Sequence, residues 1–355
     1  MPAGIFRLRL GGRFFADNSK YLLKTMRKLS YISLARACAI LLVVNSHATG
    51  FYPSAIANVA GRGGAIGNTL FFFISGFTLF FSLNHNPPPL FIPWIRRRYF
   101  RIWPSVWIWY GFLVLTGFSI IPWHEFFLPL HTNWFLSAIL IFYPVFFFCI
   151  RAFKNYLLLL SGGAFSMFLV AFFILEPNPQ SWVVGVGGSP WQLHWIYYFG
   201  IMLLGALSAQ KNFFESSFFE SVVTRKTLLM GFAFFVSVIV YYAMRGGFEA
   251  ARLWRLQFLA PFVLPAVCIF GVAFFRLFAA QVKFVSCGKI SSLINFISDH
   301  TLEIYLTHGL ALAIATMVLF PVNLAFCVLL SILFSSILKF FSSGAFLRCP
   351  IRRGQ

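Results

Sequence analysis

Arg36 and His47 stand eleven residues apart within 31–52, a stretch that is otherwise almost wholly apolar. Ionisable groups inside a run of that length are costly to hold away from water, so each is a functional candidate. Eleven residues make close to three turns of α-helix, which sets both side chains on one stripe, roughly 16 Å apart along the axis. One reading is structural: Arg36 snorkels to the nearer interface and His47 is a hydrogen-bonded packing residue. For an aligned pair the chemical reading is preferred. A neutral imidazole accepts a proton from a hydroxyl near neutral pH. A guanidinium orients an anion or supports a developing oxyanion.

Two further clusters carry the same interest. In SDHTLEIYLTHGL (298–310), Asp299 and Glu303 are spaced i,i+4 and share a face if the segment is one helix. Asp299 and His300 are expected at the interface, with Glu303 and His308 deeper. Glu303 either pairs with Arg36 or another base, or takes part in chemistry. In RRRYFRIWP, read as a loop, Arg96, Arg97, Arg98 and Arg101 form a dense cationic patch. Such a patch fixes topology and touches anionic lipid. It also suits phosphate, because Arg98 and Arg101 at i,i+3 can grip phosphate oxygens together.

The elements that hold these residues must lie in a bilayer. Of 355 residues, 60% are hydrophobic and 10% charged, against about 25% charged in a soluble domain. The net charge of +20 would suit a nucleic-acid binder if the bases formed a stripe on a polar surface. Here they fall in short clusters between apolar runs, which excludes that class. The six cysteines are scattered singly with no Cys/His ligand spacing, so neither a zinc site nor a disulfide framework is expected. No cleavable leader is expected, since 1–30 is too polar and basic.

A spanning helix needs about 20 apolar residues. Ten are expected, near 31–52, 65–83, 102–121, 134–150, 156–175, 193–209, 228–244, 258–277, 297–320 and 323–341. With the N-terminus cytoplasmic, the segments 1–30, 84–101, 151–155, 210–227, 278–296 and 342–355 lie inside and hold most of the bases. Among them are Arg7, Arg9, Lys283, Arg348, Arg352 and Arg353. The outer loops hold only Arg62, Arg245, Arg252 and Arg255. That asymmetry follows the positive-inside rule and favours an even count, with both termini cytoplasmic. Trp and Tyr near the boundaries, such as Trp103 and Tyr156, fit an interfacial belt, and the Pro/Gly-rich stretch 176–191 reads as an external loop. The expected organisation is an all-α transmembrane bundle, 31–341, between a basic segment, 1–30, and a basic tail, 342–355.

Taken together, the segments resemble the acyltransferase-3 family of integral membrane acyltransferases. YISLARACAILLVVNSH is similar to its opening helix, with Arg36 and His47 in the Arg-x10-His pattern. GNTLFFFISGFTL, which contains Ser75, is similar to the second helix, and RRRYFRIWP to the R-x-x-R-I-x-P element, at Arg98, Arg101 and Pro104. WFLSAILIFYPVFF, YFGIMLLGALSA and SDHTLEIYLTH follow in the family's order, the last supplying Tyr305, Leu306 and His308. Two departures stand out. Many members carry Glu before F-Y, where Ser137–Ile141 has none, and Asp where Thr69 stands here.

The resemblance implies transfer of an acyl group, usually acetyl, from cytoplasmic acyl-CoA to a hydroxyl of a cell-surface sugar such as an O-antigen unit. The acceptor is a sugar or polysaccharide, free or lipid-linked, and the setting a bacterial inner membrane. Acetyl-CoA is then the donor substrate and no metal is expected. The polyanionic CoA docks on Arg97, Arg98 and Arg101, its arm threads past Arg36, and His47 serves as general base, with His308, Tyr305, Glu303 and Ser75 as further candidates. An acyl-imidazole intermediate is the alternative to the base role. Arg245, Arg252 and Arg255 break the positive-inside trend, and the expectation is that they face an acidic or lipid-pyrophosphate-linked acceptor. The rival class is a multi-pass transporter or flippase of a lipid-linked sugar, which also needs buried charges and ten helices.

Overall fold

The computed structural model describes residues 12–84, 89–130, 132–175, 191–215, 219, 224–281 and 288–346. Several sequence expectations fall outside them: Arg7 and Arg9, the loop 176–190, Lys283, and the tail bases Arg348, Arg352 and Arg353. So does the side chain of Arg255. The described chain is all-helical, as expected. Its α-helices are α1 (Gly12–His47), α2 (Ser54–Ala60), α3 (Gly64–Leu83), α4 (Phe91–Leu115), α5 (Trp134–Phe153) and α6 (Leu157–Leu175). They continue with α7 (Trp191–Gln210), α8 (Thr224–Ala250), α9 (Leu264–Gln281), α10 (Lys289–Asp299), α11 (Thr301–Ala315) and α12 (Val322–Phe346). Setting aside α2 and α10, ten remain among the described residues, matching the ten expected spans. Six stretches are long and apolar enough to cross a membrane by length and composition.

α1 is the hub. It packs on α3, α9, α10 and α11, while α3 packs on α7, and α4 on α11 and α12. The α3–α7 contact is close because both helices present glycine. A Cβ on Gly76 would strike the backbone carbonyl of Met202, and one on Gly205 that of Phe73. Small residues let helices approach in this way where no hydrophobic force drives them together. Phenylalanine fills the space between helices. The buried ring of Phe72 in α3 meets Phe135 at 5.0 Å and Phe142 at 5.4 Å on α5, and Tyr198 at 4.9 Å on α7. Tilted and offset pairs of this kind add to plain area burial.

Three boundaries differ from expectation, each for a local reason. α1 ends at His47 rather than near 52. Ala48 closes onto Val44 and Asn45, residues Thr49–Phe51 tighten into a 3-10 turn, and Tyr52 is extended ahead of Pro53, as a residue before proline must be. The basic element, expected as a loop, is helical. α4 starts at Phe91 with Leu90 extended before it, and Pro93 sits in the first turn, where a missing N–H costs nothing. The expected span 297–320 is broken. His300 (φ −102°, ψ 12°) ends α10 and begins α11; its Nδ1 lies 2.7 Å from Phe296 O and its ring stacks on Phe296 at 3.9 Å. Asp299 and Glu303 therefore stand on different helices and do not share one face.

Candidate active site

The last residue of α1 and the middle of α11 meet. The rings of His47 and His308 stand 4.9 Å apart, tilted by 57°. His308 Nδ1 lies 2.6 Å from the carbonyl of Tyr305. A carbonyl only accepts, so Nδ1 carries the hydrogen and, in the neutral ring, Nε2 keeps a lone pair. Tyr305 is buried, 5.7 Å from His308 and 5.0 Å from Phe135, and so walls the pair on the side of α5. His47 is exposed and His308 half-buried, which leaves the pair reachable.

A strap over the end of α1 fixes His47. Asn45 donates from Nδ2 to the carbonyls of Ala60 (2.7 Å) and Arg62 (3.1 Å), and its Oδ1 accepts from the Tyr52 hydroxyl. The Thr49 hydroxyl bonds the carbonyls of Ser46 (2.7 Å) and Gly61. Gly63 takes φ 137° at the start of α3, a conformation open to glycine and strained for other residues. These bonds return the chain so that α3 lies against α1.

Three turns back, Arg36 lies half-buried within the fields of Arg101, Tyr143, Asp299 and Arg98. Arg98, half-buried in α4, holds its guanidinium 5.3 Å from the ring of Trp94, a cation–π contact within one helical turn. Arg101 and Arg97 are exposed, and Arg97 bears on the group only through its charge on Arg98. Arg96 sits over Phe100 at 5.8 Å. The cluster brings three guanidinium groups, from α1 and α4, around one phenol of α5. Like charges are expensive to gather at a membrane surface, and a bound polyanion relieves them.

Not every candidate joins these groups. Glu303 is buried and does not pair with Arg36. It accepts from the Ser105 hydroxyl at 3.0 Å and meets Lys339 Nζ at 3.8 Å, which ties α11 to α4 and α12. Lys339 also donates to the carbonyl of Asp299, bracing the break at His300. Ser75 is half-buried in α3, where its carbonyl accepts from Thr78 Oγ1 at 3.2 Å. Tyr143 was missed by sequence reasoning, though its Phe-Tyr-Pro setting pointed to it. Among the described residues no group of three His, Cys, Asp or Glu gathers as metal ligands do.

At the end of the bundle that carries His47, Arg62 and Arg245 are half-buried, and both act on the phenols of Tyr241 and Tyr242. Arg252 is exposed with φ 54°.

A protein-family model described as an acyltransferase domain matches residues 29–342, most of the chain. No curated protein and no solved structure matches.

Proposed function

The chain belongs to the acyltransferase-3 family of membrane acyltransferases, and from that premise we propose that it carries an acetyl group from cytoplasmic acetyl-CoA to a sugar hydroxyl on the far side of a bacterial inner membrane. The acceptor is an O-antigen or other polysaccharide unit. The observation that carries this reading is the placement of two unlike groups along one helix. α1 holds Arg36 in the fields of Arg98 and Arg101 within its length, and His47 against His308 at its last residue, three turns on. The phosphates of CoA suit the arginine end. The extended pantetheine arm suits the roughly 16 Å between Arg36 and His47.

At the imidazole end the acceptor oxygen attacks the thioester carbonyl carbon. His47 takes the hydroxyl proton, the carbon–sulfur bond breaks, and the proton passes to the departing thiolate. The locked lone pair of His308 supports the reading that His308 holds His47 through a shared proton or accepts the proton in its place. Both donor and acceptor must be bound for the carbonyl to be in reach, so positioning contributes alongside base catalysis.

The test is mass analysis of surface glycan from cells with the wild-type chain, with His47→Ala, and without the gene. Loss of one acetyl mass in both deficient strains, with glycan still exported, is the expected result. Loss of export with acetylation unchanged would replace this reading with the transporter one.

A further inference from the structure

The face of α1 that looks away from His47 borders a second feature. A cavity of about 630 Å³ lies between α1, α3, α8, α9 and α12, lined by groups such as Leu41, Leu70, Val238, Phe275 and Leu324. That size is within the range of pockets that enclose a ligand. Its wall is open: Leu41 is 38% and Phe235 57% exposed. Both lie in helices read as spanning the membrane, so the opening gives onto hydrocarbon. From Cys38 to Ala48 the groove follows the last ten residues of α1 and the residue after it, roughly 15 Å of helix.

One end of this apolar groove is polar, with two arginines just beyond its lining. Asn45 and Tyr242 line it there; Arg245 follows Tyr242 by one turn of α8, and Asn45 donates to the backbone carbonyl of Arg62 at 3.1 Å. Nε of Arg245 is buried and has no hydrogen-bond partner. A free anion has no use for a long apolar groove, and a plain hydrocarbon has none for two arginines. An amphiphile with a phosphate joined to a hydrocarbon chain uses both. The rim also has a fixed relation to the imidazoles, because the lining residues Asn45 and Ala48 flank His47 in sequence. A group at the rim is thus about one helix diameter, roughly 10–12 Å, from His47 across the end of α1.

We propose that the groove holds the hydrocarbon anchor of a lipid-linked acceptor, with its phosphate at Arg245 and Arg62, so that the attached sugar reaches His47 over the end of α1. This rests on the acyl-transfer reading, and binding is therefore tested apart from transfer. The full chain in phosphatidylcholine nanodiscs is photo-cross-linked to a diazirine-bearing polyisoprenyl phosphate. Cross-links are expected in peptides spanning Cys38–Ala48 and Leu324–Val328. Unlabelled polyisoprenyl phosphate should compete about ten- to thirtyfold better than polyisoprenol, the effect of two arginines at a surface. Equal competition by polyisoprenol, or by phosphatidylglycerol, would overturn the proposal.

Val238→Trp fills the groove and should abolish cross-linking. Arg245→Gln, which leaves the packing intact, should erase the preference for phosphate. Both variants should acetylate a lipid-linked sugar more slowly while hydrolysing acetyl-CoA at the wild-type rate. Equal loss of both activities in Arg245→Gln would overturn the proposal. Cross-linking by a wild-type chain that transfers no acetyl would remove the acyl-transfer reading and the word acceptor with it. Transfer to a lipid-linked sugar without cross-linking would remove the groove alone.

Discussion

The imidazoles of His47 and His308 meet at 4.9 Å between ring centroids, one from the end of α1 and the other from the middle of α11. Only the second is held by its own helix, through the 2.6 Å contact of Nδ1 with Tyr305 O. The two rings are therefore unequal. His308 presents a lone pair directed by that contact, while His47 is exposed at the end of α1.

That inequality predicts two different losses. His47→Gln should lower kcat for acyl transfer by about 10²–10⁴-fold, the usual worth of a general base. His308→Gln should cost less, about ten- to a hundredfold, if it acts through His47. Neither should change the affinity for acetyl-CoA. Steady-state kinetics in nanodiscs checks both, and a His308→Gln enzyme with unchanged kcat would confine that ring to packing.

The arginine cluster makes a prediction about salt. Replacing Arg98 and Arg101 together by Ala should weaken acetyl-CoA binding by at least about tenfold, from the loss of two charge-assisted contacts. It should also flatten the dependence of affinity on ionic strength. Arg36→Lys keeps the charge but loses the planar fork, so it should raise KM less than Arg36→Ala does. Isothermal titration at three salt concentrations distinguishes a binding role from a purely topological one.

Glu303 and Lys339 should behave as a structural pair. Glu303→Ala leaves Lys339 without its carboxylate, holding only the carbonyl of Asp299, and should cost about 1–2 kcal/mol, less than for a fully buried pair because Lys339 is 34% exposed. Adding Lys339→Met should recover much of that loss. Thermal unfolding of the two single variants and the double variant gives the coupling directly. Acetyl-CoA affinity should stay at the wild-type value throughout.

Packing of α3 on α7 gives the sharpest stability contrast. Gly76→Ala places a methyl against the Met202 carbonyl and should destabilise by about 1–3 kcal/mol. Gly163→Ala on α6, where nothing lies within 4 Å, should be neutral or slightly stabilising, as glycine is the poorer helix former. Unfolding temperatures of both variants in one detergent decide it.

Much of the bundle was legible because apolar length and the placement of bases are one-dimensional properties. The spacing of Arg36 and His47 reads directly as one helical stripe, and the ten apolar helices follow from run length, though the break at His300 leaves α11 only 15 residues long. What escaped was set by contacts between distant segments. The break at His300 depends on a side chain returning to Phe296, in a stretch whose hydropathy shows no interruption. The partner of Glu303 lies on α12, and no local pattern distinguishes Lys339 from Arg36 for that role. The pairing of His47 with His308 requires α1 and α11 to be neighbours, which helix count alone does not fix. The basic element reads as a loop in sequence because arginines are poor at signalling a membrane span, though they are good helix formers.

Since α1 runs unbroken from Arg36 to His47, it works as a gauge. Arg36 and His47 keep one separation along it, so in the proposed transfer a donor would be measured by the reach between its phosphates and its thioester. Acetyl-pantetheine without the nucleotide would have nothing to register against, and a lengthened arm would overshoot the imidazoles. Under the proposed function, selectivity for the donor would thus be written in helical rise, before any contact with the acyl group itself.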